Sequence, residues 1–218
     1  MFKKIMVIMI ALVCLLSISA ISAEGVDGVA DTNAVGSFQE LQNAINGVSA
    51  GGTLNLNKTY ENNGTEGVIY IGNNITIDGQ GNTIDAKGVS GIFNIGPNVS
   101  VTLKNINFIN GKNTNGDGGA IYSYGGSNVT VTNSTFTNTT SNRSGGAIYN
   151  DNGNIMVINS NFINTLSNGS FGNGGGAIFS NGNVNVVNSN FTDTLAKGMG
   201  GAIKGVAFES ARKRRHKV

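Results

Sequence analysis

The sequence predicts an all-β fold, a solenoid of stacked parallel coils closed at its N-terminal end by a short helix. Three observations predict it. Gly118-Gly119-Ala120-Ile121 recurs at Gly145-Gly146-Ala147-Ile148, Gly175-Gly176-Ala177-Ile178 and Gly200-Gly201-Ala202-Ile203, with first glycines 27, 30 and 25 residues apart. Phe108, Phe136, Phe162 and Phe191 run in step, 28, 26 and 29 residues apart, in frames such as Asn133-Ser134-Thr135-Phe136 and Asn159-Ser160-Asn161-Phe162. A short alternating run precedes each frame: Val99–Leu103, Val129–Thr132, Ile155–Ile158 and Val184–Val187. Period-two alternation in β-branched residues reads as a strand with one buried face. A repeat of this length cannot bury its apolar face alone and must lie on its neighbours.

The elements follow in chain order. Met1–Ala23 reads as a secretory signal: Lys3 and Lys4 precede the apolar stretch Ile5–Leu16, which is short for a membrane span, and small residues follow. An uncleaved anchor is the alternative reading. Cys14 lies inside this segment, so the mature chain would hold no disulfide and no thiolate site. Residues 24–36 read as a linker. Residues 37–97 read as a cap and irregular first coils. Ser37 and Glu40 have capping-box spacing, and Phe38, Leu41 and Ile45 share one helical face. Short strands follow at Gly51–Leu56, Val68–Ile71, Ile75–Asp78 and Thr83–Asp85, and Pro97 falls in a turn. Residues 98–203 are the regular repeats. Stacking sets like residues over like, roughly 4.8 Å apart. It therefore predicts one ladder of phenylalanines and one of Ile121, Ile148, Ile178 and Ile203. Asn105, Asn133, Asn159 and Asn188 are expected to bond amide to amide in a third, inner ladder.

After Ile203 the repeat is expected to lapse into a basic, non-repeat tail, 204–218, containing Arg212–Lys217. The composition change in mid-coil suggests a truncated or frame-shifted reading of a longer gene. A basic run of this kind can bind nucleic acid, but no nucleic-acid partner is expected for an exported chain. Residues 24–203 carry eleven acidic and six basic side chains, a net of −5 (6 − 11).

The Gly-Gly-Ala-Ile marks and Asn-Ser-x-Phe frames resemble the repeats of chlamydial polymorphic outer-membrane proteins. The whole span 37–203 is similar to adhesin-like surface proteins of methanogenic archaea, through Phe38, Leu41, Ala44 and Ile45 and the Ile75–Gly81 segment. One departure from the chlamydial pattern is an Asn or Asp two residues after each phenylalanine, where that repeat has Asn three residues on. The resemblance implies a right-handed, pectate-lyase-like parallel β-helix at the cell surface, acting in adhesion or as a structural rod. The expected location is secreted or cell-surface, or the outer membrane in a Gram-negative-type host. Expected partners are glycans or other surface components, with the membrane met only through the signal segment or an anchor outside this sequence.

The rival reading is a polysaccharide lyase or glycoside hydrolase, which would need clustered carboxylates. Asp78 and Asp85 are the nearest early pair, and Asp78 reads as a turn residue bonding its own backbone. Asp117, Asp151 and Asp193 are dispersed, Arg143 is the only arginine before the tail, and His216 lies in the tail. No catalytic, cofactor-binding or metal-ligating residue is therefore expected, and no cofactor. Gly172–Gly176 lacks the lysine and hydroxyl of a phosphate loop. Tyr122, Tyr124 and Tyr149 admit two readings, sugar-stacking residues on an outer face or neighbours of the core ladder. Ten Asn-x-Ser/Thr triplets, at Asn57, 63, 74, 98, 128, 133, 138, 142, 168 and 190, make the chain a possible glycoprotein, with Asn63, Asn142 and Asn168, which have turn neighbours, expected to be more exposed than Asn133 of the inner ladder.

Overall fold

A computed structural model describes residues 35–170 and 172–211. The signal-like segment 1–23 with its Cys14, and the basic run 212–217 with its His216, lie outside the described residues. All strand pairings are parallel, and they form the expected solenoid.

Each coil contributes a strand to three faces. The first face stacks β2 (Thr53–Asn55), β5 (Ile75–Asp78), β8 (Ser100–Lys104), β12 (Asn128–Thr132), β15 (Asn154–Ile158) and the second half of β17 (Ile178–Val187). The second stacks β1 (Gly36–Ser37), β3 (Tyr60–Glu61), β6 (Thr83–Asp85), β9 (Asn107–Ile109), β13 (Thr135–Ser141), β16 (Asn161–Ser167) and β18 (Asn190–Ala196). The third stacks β4 (Ile69–Ile71), β7 (Phe93–Ile95), β11 (Ile121–Ser123), β14 (Ile148–Asn150) and the first half of β17. The short β10 (Lys112–Asn113) pairs with β13. Where the repeat was expected to lapse, β19 (Ile203–Ala211) continues the stack against β17. Parallel pairing there extends eight residues past Ile203, with one register shift between Ser180 and Asn183.

Both expected core ladders are present. Phe108, Phe136, Phe162 and Phe191 stack face to face with centroids 4.6, 4.8 and 4.8 Å apart. On the third face Ile69, Phe93, Ile121, Ile148, Ile178 and Ile203 align. One coil exchanges the two residue types. Ile84 stands below Phe108 in the phenylalanine ladder, and Phe93 interrupts the isoleucines, meeting Phe108 edge-on at 6.0 Å. The exchange conserves core volume within the coil, which is the kind of swap cores tolerate best.

The irregular first coils share the register of the later ones, Leu54 under Ile77 and Ile77 under Leu103. Helix α1 (Phe38–Asn46) carries the capping box from Ser37 and Glu40 and buries Phe38, Leu41 and Ile45. Two side chains not anticipated from sequence hold it in place. The Glu66 carboxylate accepts the Phe38 and Gln39 N–H groups at 3.2 and 2.8 Å, satisfying orphan donors of the first turn. Gln42 donates to the Tyr70 carbonyl at 2.9 Å and accepts the Tyr70 N–H at 2.7 Å. Its amide thus imitates a strand and closes the edge of β4, which would otherwise invite pairing with another chain.

The asparagine ladder exists, but it lies on the surface. Asn133 is exposed, as are Asn159 and Asn188. The reason is backbone geometry. Among the described residues, nine of the twelve non-glycine residues with positive φ are asparagines, including Asn105, Asn133, Asn159 and Asn188. Asparagine is the side-chain-bearing residue that best tolerates this left-handed corner, and the corner turns it outward. The following serine faces inward instead. Ser134 and Ser160 are buried; their Oγ atoms accept the Ile106 and Ser134 N–H groups at 3.2 Å and donate to Thr132 and Ile158 carbonyls at 2.9 Å. The Asn-Ser-x-Phe frame is therefore a corner, a backbone clip and a core anchor.

Candidate functional site

The carboxylates that an enzyme would need are committed to the scaffold. Asp78 Oδ1 accepts the Gln80 N–H at 3.1 Å, the expected turn bond, and the Asn105 amide at 2.9 Å, while Oδ2 pairs with Lys104 at 3.0 Å. Asp78 heads the asparagine ladder: Asn133 donates to Asn105 and Asn159 to Asn133 at 3.4 and 3.3 Å. The Asn105 amide leads the interactions that hold the Asp78 carboxyl below its ordinary pKa, against the opposing cost of burial. Asp85 heads a second ladder in the same way. It accepts Asn110 at 2.9 Å and the Lys87 N–H at 2.7 Å, and pairs with the Lys87 ammonium at 3.0 Å. Asn138 and Asn164 continue that ladder at 3.5 and 2.8 Å.

Asp193 occupies the next position of the second ladder, at φ 52° beside Asn164 at 51°. As a carboxylate it has no N–H to give to the Asn164 oxygen. Asp193→Asn restores a donor there. The expected result at pH 7 is a gain of about 0.5–1 kcal/mol, the net value of one hydrogen bond, read as a raised urea midpoint.

An aromatic row runs along the outside of the third face. Alternation in β11 and β14 buries the isoleucine and turns the next residue out. Register then aligns Tyr70, Asn94, Tyr122, Tyr149, Phe179 and Lys204. Tyr122, Tyr149 and Phe179 are parallel within 8° at centroid spacings of 5.3 Å, and Tyr124 packs on Tyr122 at 5.8 Å. Lys204 closes the row with its ammonium 5.1 Å above the Phe179 ring while donating to the Gly172 carbonyl. Of the two readings of the tyrosines, this geometry favours the structural one. The middle rings cover each other's faces, so a sugar would meet edges and hydroxyls there.

Two carboxylates, Asp117 and Asp151, act electrostatically on the Tyr122 and Tyr149 phenols. Asp117 Oδ1 accepts the Ser144 N–H at 2.8 Å, and its Oδ2 lies 3.6 Å from Arg143. Asp151 accepts Asn152 at 2.9 Å and Asn181 at 3.0 Å, and Asn181 also reaches the Tyr149 hydroxyl at 3.4 Å. Burial first, then Asp117 and Asp151, push the Tyr149 phenol up from 10.0 to about 12. A raised folded-state value stabilises the fold below the unfolded pKa and ceases to do so as pH rises through the folded one. Stability is therefore expected to fall between pH 10.0 and about 12. Tyr149→Phe should flatten that fall in urea titrations across this range; an unchanged slope would contradict the assignment.

Two open clefts adjoin the ends of the stack. One, of about 330 Å³, lies between α1 and the Thr65–Ile69 segment; the other, of about 420 Å³, borders Ile163, Asn190 and Phe191 on the last rung of the second face. Among the described residues no three His, Cys, Asp or Glu side chains gather to hold a metal ion, and no helix is long and apolar enough to cross a membrane. Compared with known proteins, the chain matches no family model, no characterised protein and no solved structure.

Proposed function

We propose that the chain is an extracellular, adhesin-like β-helix surface protein that binds cell-surface components or serves as a structural rod. One observation carries this reading: the outer rows repeat uncharged amides in register while the carboxylates at the ladder heads, Asp78 and Asp85, are tied to lysines and backbone. Asn154 donates to Asn128 at 2.7 Å and Asn183 to Asn154 at 3.0 Å, a surface that offers the same polar group on successive rungs. Such a surface suits many weak, repeated contacts that add through multivalency. The signal-like segment 1–23 and the likeness of the repeats to surface-protein repeats support the location.

Two assays test the reading. Protease shaving of intact producing cells should remove the chain from the outside. Beads coated with the full chain should bind glycan-bearing surfaces with avidity that rises steeply with coating density. Persistence of the chain inside shaved cells sinks the surface reading. Turnover of polygalacturonate or related acidic polymers, with or without calcium, would replace it with the lyase or hydrolase alternative.

A further inference from the structure

We propose that the folded chain presents Asn63 as an acceptor for an N-linked glycan, in preference to its other Asn-x-Ser/Thr triplets. The inference rests on the surface reading for its setting, because only an exported chain meets the transferase; the reactivity of Asn63 itself is a property of the fold.

The fold sorts the ten triplets by how they are held. Six of them, at Asn74, Asn98, Asn128, Asn133, Asn138 and Asn190, belong to the rungs or their corners. Their middle residues Ile75, Val99, Val129, Ser134 and Thr139 are buried, and Phe191 is half-buried on the phenylalanine ladder. Drawing any of these into an enzyme's active site means pulling a rung out of the stack. The amide nitrogens of Asn133, Asn138 and Asn190 also already donate along the ladders.

Three others are pinned. Thr59, in the Asn57 triplet, gives its carbonyl to the Gly36 N–H at 2.8 Å, and Lys58 pairs with Glu40 at 3.1 Å. Asn142 spends its amide on the Thr114 carbonyl, and Ser144 is buried. Gly169, in the Asn168 triplet, is buried against the Arg143 carbonyl, to which its N–H donates at 3.1 Å.

Asn63-Gly64-Thr65 differs from all nine. All three residues are exposed, on the loop between β3 and β4. The loop is anchored at its base; at its tip the Asn63 N–H donates to Glu66 Oε2 at 3.1 Å, and the Asn63 side chain bonds, among the described residues, to Thr65 alone. Asn62 is buried, donates to the Glu66 carbonyl at 2.8 Å and to Ser90 Oγ at 3.1 Å, and accepts the Gly64 N–H at 2.8 Å. A Cβ on Gly64 would meet nothing within 4 Å, and its φ of +97° turns the loop outward.

The local conformation also suits the chemistry. Thr65 gives both its N–H, at 3.0 Å, and its hydroxyl, at 2.8 Å, to Asn63 Oδ1. The hydroxyl of the triplet is thus already on the amide to be modified. These bonds engage the oxygen, and Nδ2 makes no hydrogen bond among the described residues. In the transfer, Nδ2 forms a bond to C1 of a lipid-linked oligosaccharide. The C1–O bond to the polyprenyl phosphate or diphosphate breaks, the phosphate leaves with the electron pair, and the amide proton passes to a base of the transferase. No oxidation or reduction occurs.

The test incubates the folded full chain, in mild detergent, with a purified oligosaccharyltransferase and its lipid-linked donor. An unrelated acceptor peptide verifies the enzyme, and a urea-unfolded sample runs in parallel. Intact mass and peptide mapping should show one glycan on the folded chain, at Asn63, with occupancy about tenfold above any other triplet. Several triplets should be modified in the unfolded sample. Thr65→Ala should abolish transfer to the folded chain and Thr65→Ser should retain it. An unmodified Asn63 in the folded chain, or comparable occupancy at a rung triplet, overturns the proposal. Shaving of cells is a separate readout: a chain that accepts the glycan in vitro yet stays inside the cell sinks the surface reading and leaves the acceptor assignment standing.

Discussion

Gly146→Ala is expected to disrupt the stack severely, because an added methyl group would collide with backbone of the next rung. Gly145 and Gly146 are required for different reasons. Gly145 sits at φ +66°, a left-handed corner where an added Cβ would also clash with the Ile148 carbonyl oxygen. Gly146 has no such angle; its constraint is space. A Cβ there would penetrate the Gly176 carbonyl oxygen of the next rung and lie 2.7 Å from the Leu166 backbone nitrogen. Both neighbours are backbone, held by rung-to-rung hydrogen bonds: Gly146 N–H to the Gly175 carbonyl at 3.1 Å, and Ala147 N–H to the Ala177 carbonyl at 2.9 Å. Neither can yield without breaking pairing. The expected cost is about 4 kcal/mol or more, the upper range for one substitution. Coils couple only to their neighbours, so the break should split unfolding into two transitions, with the coils N-terminal to β14 melting apart from those beyond it. Gly67→Ala is the control. Its Cβ would meet nothing within 4 Å, so the expected change is within about 0.5 kcal/mol. Equal urea midpoints for the two variants would refute the close-approach account of the repeat.

Phe136→Ala should also destabilise the stack strongly. Phe136 is fully buried, with Phe108 on one face at 4.6 Å and Phe162 on the other at 4.8 Å. Truncation removes the buried ring and leaves a gap that two flanking rungs cannot close, since both are fixed by backbone pairing. A loss of about 3–5 kcal/mol is expected in urea unfolding. Phe136→Leu, which nearly keeps the volume, should cost about 1 kcal/mol. The coil holding Ile84 and Phe93 supplies a sharper check. Exchanging the pair one coil type for the other, Phe136→Ile with Ile148→Phe, should cost less than the sum of the two single variants. Strict additivity would mean that the two positions do not share one core volume.

Much of the fold was legible because a solenoid repeats its local rules. Gly-Gly-Ala-Ile, the phenylalanine frames and the alternating runs each report one corner or one strand, and stacking follows from their common period. Helix α1 was legible through Ser37, Glu40 and its apolar spacing. The asparagine ladder is legible in the sequence as a ladder, but the face on which it lies is not. The side of a corner on which a residue falls depends on its φ, and the positive φ of Asn133 is not written in the residue itself. The serine after it was the overlooked signal: a small hydroxyl between an asparagine and a core phenylalanine is suited to clip backbone. Glu66 and Gln42 were not legible at all. They act on α1 and β4 across 27 or 28 residues of sequence, and nothing periodic marks them. The tyrosine row was visible as a set, yet only the ring planes decide between stacking on sugars and stacking on each other. The role of Asp78 and Asp85 was half visible. Their turn bonds follow from local sequence, whereas their place at the head of amide ladders requires the register.

The central claim is that equivalent side chains lie rung over rung along one axis. Ring-to-ring nuclear Overhauser contacts in a chain with only its phenylalanines protonated test it most directly, with assignments from single Phe→Leu variants. The account predicts an unbroken chain of contacts from Phe93 to Phe108, Phe136, Phe162 and Phe191, with no contact that skips a rung. Missing links between successive rings, or cross-peaks joining Phe108 directly to Phe162 or Phe191, would contradict it.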